Sequence, residues 1–270
     1  MLPAYGRPLV EVFSVRAVGG PARRPPCGSV NVFDGRRGQI IYSHSGEQPA
    51  SPIQSSSHAQ LQDGLLLTGP YRAISADGSV AIKLDLHDAS QELAPSSDNK
   101  EAKAGLISWD VYEPSEEYDK AISRIVDTRY GPVEVTYAVL SNAVEASVEV
   151  TLVRREEEGQ AADTGPGAGV RGRIVARSQL FEIETVLFDG EFGQSSRAES
   201  TGATTIPLAR SILAVPLLWP LMVEADLRAR SGDEIAIGSL EFQPEVDGQH
   251  VKRLVGRSGA VEVKITWSGE

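Results

Sequence analysis

Carboxylates are the side chains with the widest chemical scope in this sequence. There are 37 Asp and Glu against 26 Lys and Arg in 270 residues, a formal net charge of −11. Two groups stand where apolar runs end: Asp85 and Asp88 close the run that begins at Val80, and Asp226 follows Leu221 to Ala225, with Asp233 beyond it. Strands that deliver carboxylates into neighbouring loops suit calcium, which takes about six to eight oxygen ligands. Two residues after the leading aspartate stand His87 in one group and Arg228 in the other, so neither adds a carboxylate there. A guanidinium there opposes a cation. Asp85, Asp88, Asp226 and Asp233, with Asp98 as a further member of the first group, are therefore weak metal candidates, and no metal or cofactor is expected.

Other constellations give less. His44, His58, His87 and His250 show neither H-x-x-x-H nor H-E-x-x-H spacing, and no serine sits in G-x-S-x-G. Carboxylates are too numerous for any two to be singled out as acid and base. Gly167 to Gly172 reads G-x-G-x-x-G, but Glu156, Glu157, Glu158 and Asp163 precede it and the strand-like Arg173 to Arg177 follows. A pyrophosphate needs a helix N-terminus there, so the stretch reads as an acidic loop. Tyr71, Trp109, Trp219 and Trp267 lack interleaved Lys or Arg and read as core or edge packing rather than base-stacking platforms. No catalytic residue is assigned.

Composition sets the class. Hydrophobic residues make up 41% and charged residues 23%, with 26 Gly, 16 Pro and two Met, which favours turns and strands over long helices. The acidic balance argues against nucleic acid and anionic membrane as partners. Cys27 is the single cysteine, so no intramolecular disulfide forms. No secretory signal pattern opens the sequence, and the longest apolar run, Ile212 to Val223, is cut by Pro216 and Pro220 and is too short to span a bilayer. A cytoplasmic location is expected.

Period-two patterning predicts strands at Leu9 to Val18, Ser29 to Phe33, Gln39 to Ser43, Leu65 to Ser75, Val80 to Asp88 and Gly105 to Tyr112. It also predicts Val133 to Leu140 and Val144 to Arg154, joined by Ser141-Asn142. Asp34-Gly35 marks a hairpin turn. Ser115 followed by Glu116 and Glu117 gives an N-cap pattern for a short helix within residues 114 to 127. Leu65 to Leu86 then aligns without gaps on Ile206 to Leu227, offset by 141 residues. Arg129 to Val135 recurs as Arg257 to Val263, offset by 128, and Val10-Glu11-Val12 recurs as Val148-Glu149-Val150, offset by 138. Matches in one order, with loops absorbing the offsets, mark an internal duplication. The expected fold is all-β: a tail at 1–8, then two tandem antiparallel β-sandwiches over 9–140 and 141–270.

Leu221 to Asp226, Asp233 and Ile235 to Gly238 together resemble the end of a C2 domain, so each half is read as C2-like. Over nearly all residues from Leu9 onward, the chain is also similar to a plant family, expanded in grasses, known only as a domain of unknown function. The resemblance is carried by LLLTGPYRAIS at Leu65 to Ser75, AGLISWDVY at Ala104 to Tyr112, TRYGPVEVTYAVLSNAVEASVEV at Thr128 to Val150 and AVEVKITWS at Ala260 to Ser268. Some members of that family accompany a ribosome-inactivating N-glycosidase, which implies a defence or stress setting. The Glu-Ala-x-Arg pattern of that toxin is absent from this sequence, and the resemblance supplies no site residues. The leading expectation is a non-enzymatic module that binds a protein partner. The alternatives are a C2-like calcium or membrane-lipid module and an accessory domain related to those toxins.

Overall fold

The computed structural model describes residues 5–19, 25–35, 37–45, 64–89, 105–113, 117–154, 169–193 and 203–269. Sixteen strands are present among them and no α-helix. They are β1 (Arg7–Ala17), β2 (Cys27–Phe33), β3 (Gly38–His44), β4 (Ile74–Ser75), β5 (Val80–His87), β6 (Gly105–Trp109), β7 (Ala121–Thr128) and β8 (Gly131–Arg154). The second half adds β9 (Gly169–Ser178), β10 (Thr185–Gly193), β11 (Ala203–Thr205), β12 (Ile212–Pro216), β13 (Leu221–Ala229), β14 (Glu234–Phe242), β15 (Gly248–Val255) and β16 (Gly259–Ser268).

All pairings are antiparallel and build three sheets. An eight-stranded sheet is organised on β8; two four-stranded sheets, ordered β3-β2-β5-β6 and β10-β9-β13-β14, pack on its two halves. The first sandwich encloses Val10, Val30, Ile82, Leu84, Trp109 and Val135 among others, and the second encloses Val150, Ile174, Leu187, Phe188, Leu227 and Val263. β5 shows why the pattern is readable: Val80, Ile82, Leu84 and Leu86 are buried while Lys83, Asp85 and His87 are not. Ile82→Val and Ile174→Val each delete one buried methyl group, at an expected cost of about 0.5–1.5 kcal/mol. Because they sit in different cores, the double variant should equal the sum within about 0.5 kcal/mol in urea unfolding.

The duplication is visible in the strand order. The sequence β7–β8–β1–β4 in the first half matches β15–β16–β8–β12 in the second, as do the two four-stranded sheets. Details repeat as well. Gly28 lies opposite Leu86 and Gly172 opposite Leu227, both with left-handed backbone, at φ +111° and +143°. Gly105 packs against Val126 as Gly238 packs against Leu254. The Thr68 N–H donates to the Ile41 carbonyl and the Ala209 N–H to the Leu187 carbonyl, so the same crossover covers the edge of β3 and the edge of β10.

Several expectations change. The offsets of 141 and 128 hold, but that of 138 does not. Val15 and Val150 are the equivalent residues: they face Val135 and Val263, and their carbonyls accept from the N–H groups of Leu65 and Ile206. That offset is 135, and the Val-Glu-Val match is a coincidence of common strand residues. Ser141-Asn142 is not a connection, because β8 runs through it for 24 residues. Leu65 to Arg72 is not a strand, because it crosses from β1 of one sheet to β3 of the other. Within residues 114–127, positions 121–127 belong to β7, whose pairing with β8 overrides the capping pattern, and Ser115 and Glu116 lie outside the described residues. Gly169 to Gly172 already belong to β9, so the strand begins inside the stretch read as an acidic loop.

Candidate functional site

The four metal candidates stand on matching elements in two separate places. Asp85 on β5 pairs with Arg129 at 2.6 Å, and both side chains are exposed. Asp226 on β13 pairs with Arg228 at 3.1 Å, the residue that occupies the missing-carboxylate position. Asp233, in the turn before β14, accepts from the Ser231 hydroxyl at 2.7 Å. Asp88 follows β5 near Tyr130, whose hydroxyl it helps push up in pKa after the larger effect of burial. Asp98 lies outside the described residues. Among the described residues no three His, Cys, Asp or Glu side chains converge as metal ligands. Exposed pairs of this kind contribute about 0.2–1 kcal/mol and weaken with salt. Asp85→Asn should therefore change stability by less than about 1 kcal/mol, and less again in high salt, as read from urea unfolding.

Of the aromatic residues, Trp109 and Trp267 are buried as expected, whereas Tyr71 and Trp219 are exposed at 65% and 43%. Trp219 and its neighbour Leu218 stand on the turn between β12 and β13, so neither contributes to the core.

A cleft of about 540 Å³ lies between the two halves. The first half supplies Phe13, Ser14 and Arg16 from β1, with Gly64, Leu65 and Leu67. The second supplies Arg173 from β9, Ile183 and Glu184, Thr185, Val186 and Asp189 from β10, and Arg210. Its volume falls in the ordinary range of binding clefts. Its charged groups are already paired: Arg16 with Glu134 at 2.5 Å, and Arg173 with Glu184 at 3.1 Å and Asp189 at 3.7 Å. Burial holds the Asp189 carboxyl above its ordinary range, with Arg173 pulling the other way.

A buried ion pair ties the walls together. The Arg210 Nη2 lies 2.7 Å from Glu11 Oε1, with both side chains almost fully buried. Arg210 also donates from Nη1 to the Val12 carbonyl at 2.7 Å and from Nε to the Ile212 carbonyl at 3.0 Å. Glu11 accepts from the Ala214 N–H at 2.8 Å. A residue of the second half thus fills the gap on the edge of β1 between its pairings at Val10 and Val15. Loss of solvation raises the Glu11 carboxyl and lowers the Arg210 guanidinium, each offset in part by the other.

Neither the cleft nor the ion pair was expected. Glu11 sits in a β-rich run and Arg210 in the crossover between β11 and β12, 199 residues apart, and no local spacing links them. One signal was available: the aligned crossovers place Arg210 where the first half has Gly69, an unmatched charge amid apolar residues.

No curated protein matches the chain. Among solved structures, the two tandem C2 domains of calcium-bound Extended-Synaptotagmin 2 are 10% identical over 100% of both chains, with a TM-score of 0.25. A human GIVD cytosolic phospholipase A2 in complex with methyl gamma-linolenyl fluorophosphonate is 9% identical over 99% of this chain and 33% of its own, also with a TM-score of 0.25. Likeness of that extent bears on neither the detailed topology nor the function. The sequence itself is decisive: the model of the family described as Domain of unknown function (DUF6598) matches residues 9–265, and the chain belongs to that family.

Proposed function

We propose that the chain is a non-enzymatic interaction module that takes a protein partner in the cleft between its halves, 9–140 and 141–270. The carrying observation is the cleft, whose two walls come from different repeats and are bridged by the Glu11–Arg210 pair. Apolar Phe13, Leu65, Leu67, Ile183 and Val186 stand beside the charged Arg16, Arg173, Glu184 and Asp189. An apolar centre with a polar, solvent-exposed rim is the anatomy of protein interfaces. The charged rim is paired within the chain, so an incoming partner meets a nearly neutral surface, which favours a protein segment over nucleic acid or anionic lipid. A cytoplasmic location and a role in plant defence or stress are proposed from sequence and family resemblance.

The test is affinity capture from plant extract with the wild-type chain and with a Val186→Lys/Arg173→Glu double variant, followed by titration of the captured protein against both. The expected result is a protein that binds wild type and is at least about tenfold weaker on the variant, a difference of about 1.4 kcal/mol. Capture of nothing, or equal binding by both chains, would sink the proposal.

A further inference from the structure

Strands β1 and β16 occupy the same edge of β8. At Ala143 the partners of β8 are Arg7 of β1 and Pro216 of β12; at Glu145 they are Ser268 of β16 and Ala214 of β12. A residue inside a sheet has one neighbour on each side, so β12 holds one edge there and both β1 and β16 hold the other. They run in the same direction, with β16 opposite residues 154 to 145 and β1 opposite residues 143 to 133. End to end they form a second long strand, interrupted between Ser268 and Arg7. Those residues face positions two apart on β8, a spacing of about 7 Å.

The outer neighbours keep the same symmetry. β7 flanks the first half of β8 as β15 flanks β16, and β12 flanks the second half of β8 as β4 flanks β1. Side chains cross between the halves in matching fashion: the Ala214 N–H donates to Glu11 Oε2 at 2.8 Å, and the Ala73 N–H donates to Glu145 Oε2 at 2.6 Å. Ala73 and Ala214 are equivalent under the 141-residue offset, and Glu11 and Glu145 are equivalent on their strands, since Val10 pairs Ile74 as Val144 pairs Val215. Leu9, Phe13, Ala73, Ala143 and Ala214 pack together at this junction.

We infer that the chain is built as a two-fold pseudo-homodimer, in which each repeat is the docking partner of the other and the covalent link at residues 143–144 is interchangeable with the junction between β16 and β1. The surface that joins the repeats therefore fits a second repeat of the same kind. Gly6, just before β1, donates its N–H to Asn142 Oδ1, beside the positions of β8 that β1 and β16 face at the junction. The inference rests on strand pairing and stands apart from what the cleft binds.

Two experiments test it on the full chain. In a circular permutant beginning at Val144 and ending at Ala143, Glu270 is joined directly to Met1. The residues between β16 and β1 reach far more than the gap of about 7 Å requires. The expected result is one cooperative thermal transition within about 10 °C of wild type and an unchanged far-ultraviolet spectrum. Loss of the cooperative transition overturns the inference. In the unpermuted chain, a Tyr5→Cys/Gly269→Cys variant should be joined intramolecularly by a short bismaleimide, whereas Tyr5→Cys/Val255→Cys, with Val255 at the far end of β15, should not. Equal cross-linking of both pairs, or of neither, overturns it as well.

Discussion

Arg210→Met is expected to lower the free energy of unfolding by about 3–5 kcal/mol near neutral pH, the range for removing one partner of a buried ion pair. Three interactions go at once: the pairing to Glu11 and the donations to the carbonyls of Val12 and Ile212. The Val12 carbonyl then faces an apolar side chain on a strand edge with no replacement donor, a cost in its own right. The deficit is expected to depend on pH. Burial already lifts the Glu11 carboxyl above its ordinary value of 4.5 despite the opposing attraction of Arg210. Without Arg210 it rises further. A carboxyl whose folded pKa exceeds its unfolded pKa contributes its stability in full below the unfolded value and loses it as pH rises through the folded value. The variant should therefore be closer to wild type at about pH 5 than at about pH 8, measured by urea unfolding at both. A deficit independent of pH would show that Glu11 does not feel Arg210. Changing both partners, as Glu11→Leu/Arg210→Met, should recover part of the loss, because no buried charge is then left alone.

Gly172→Ala and Gly28→Ala should each cost about 2–6 kcal/mol, combining backbone strain of about 1–3 kcal/mol with overpacking of about 1–3 kcal/mol. Both glycines hold left-handed backbone, and a Cβ built on either would overlap a backbone oxygen of the neighbouring strand, that of Asp226 for Gly172 and that of Asp85 for Gly28. Backbone cannot swing aside as a flexible side chain can. Gly35→Ala is the control: its φ is +73°, but nothing lies near its Cβ, so it should show the strain without the collision. Equal losses at Gly35 and Gly172, by urea unfolding, would refute the account. Asp85 and Asp226, whose backbone oxygens face these glycines, are equivalent under the 141-residue offset, and their carboxylates pair with Arg129 and Arg228.

What was legible followed from local rules. The alternation of Val80, Ile82, Leu84 and Leu86 is a property of one strand, and the burial it implied is the burial observed. The two long offsets, 141 and 128, were right because each spans strands and turns in a fixed register, so many residues must agree at once. The third failed because Val-Glu-Val is short and common on half-buried strands, and a register shift in β1 between Val12 and Ser14 moves the true equivalence. Asp34 shows the limit of turn chemistry. Asp-Gly at the hairpin was correct, but its carboxylate is buried and held bidentately by Arg72, 38 residues away, at 2.6 and 3.1 Å.

The sequence by itself determined the all-β class, the duplication and most strands, because side-chain alternation, turn residues and repeated segments are written in consecutive residues. Only the tertiary structure decided that Ser141-Asn142 continues a strand, that β16 and β1 line up as one, and that Glu11 meets Arg210 beneath a cleft shared by both repeats. The reason is physical. These features depend on which edge of β8 each strand takes and on a buried charge finding its partner across an interface, and both are settled by packing between residues far apart in the chain.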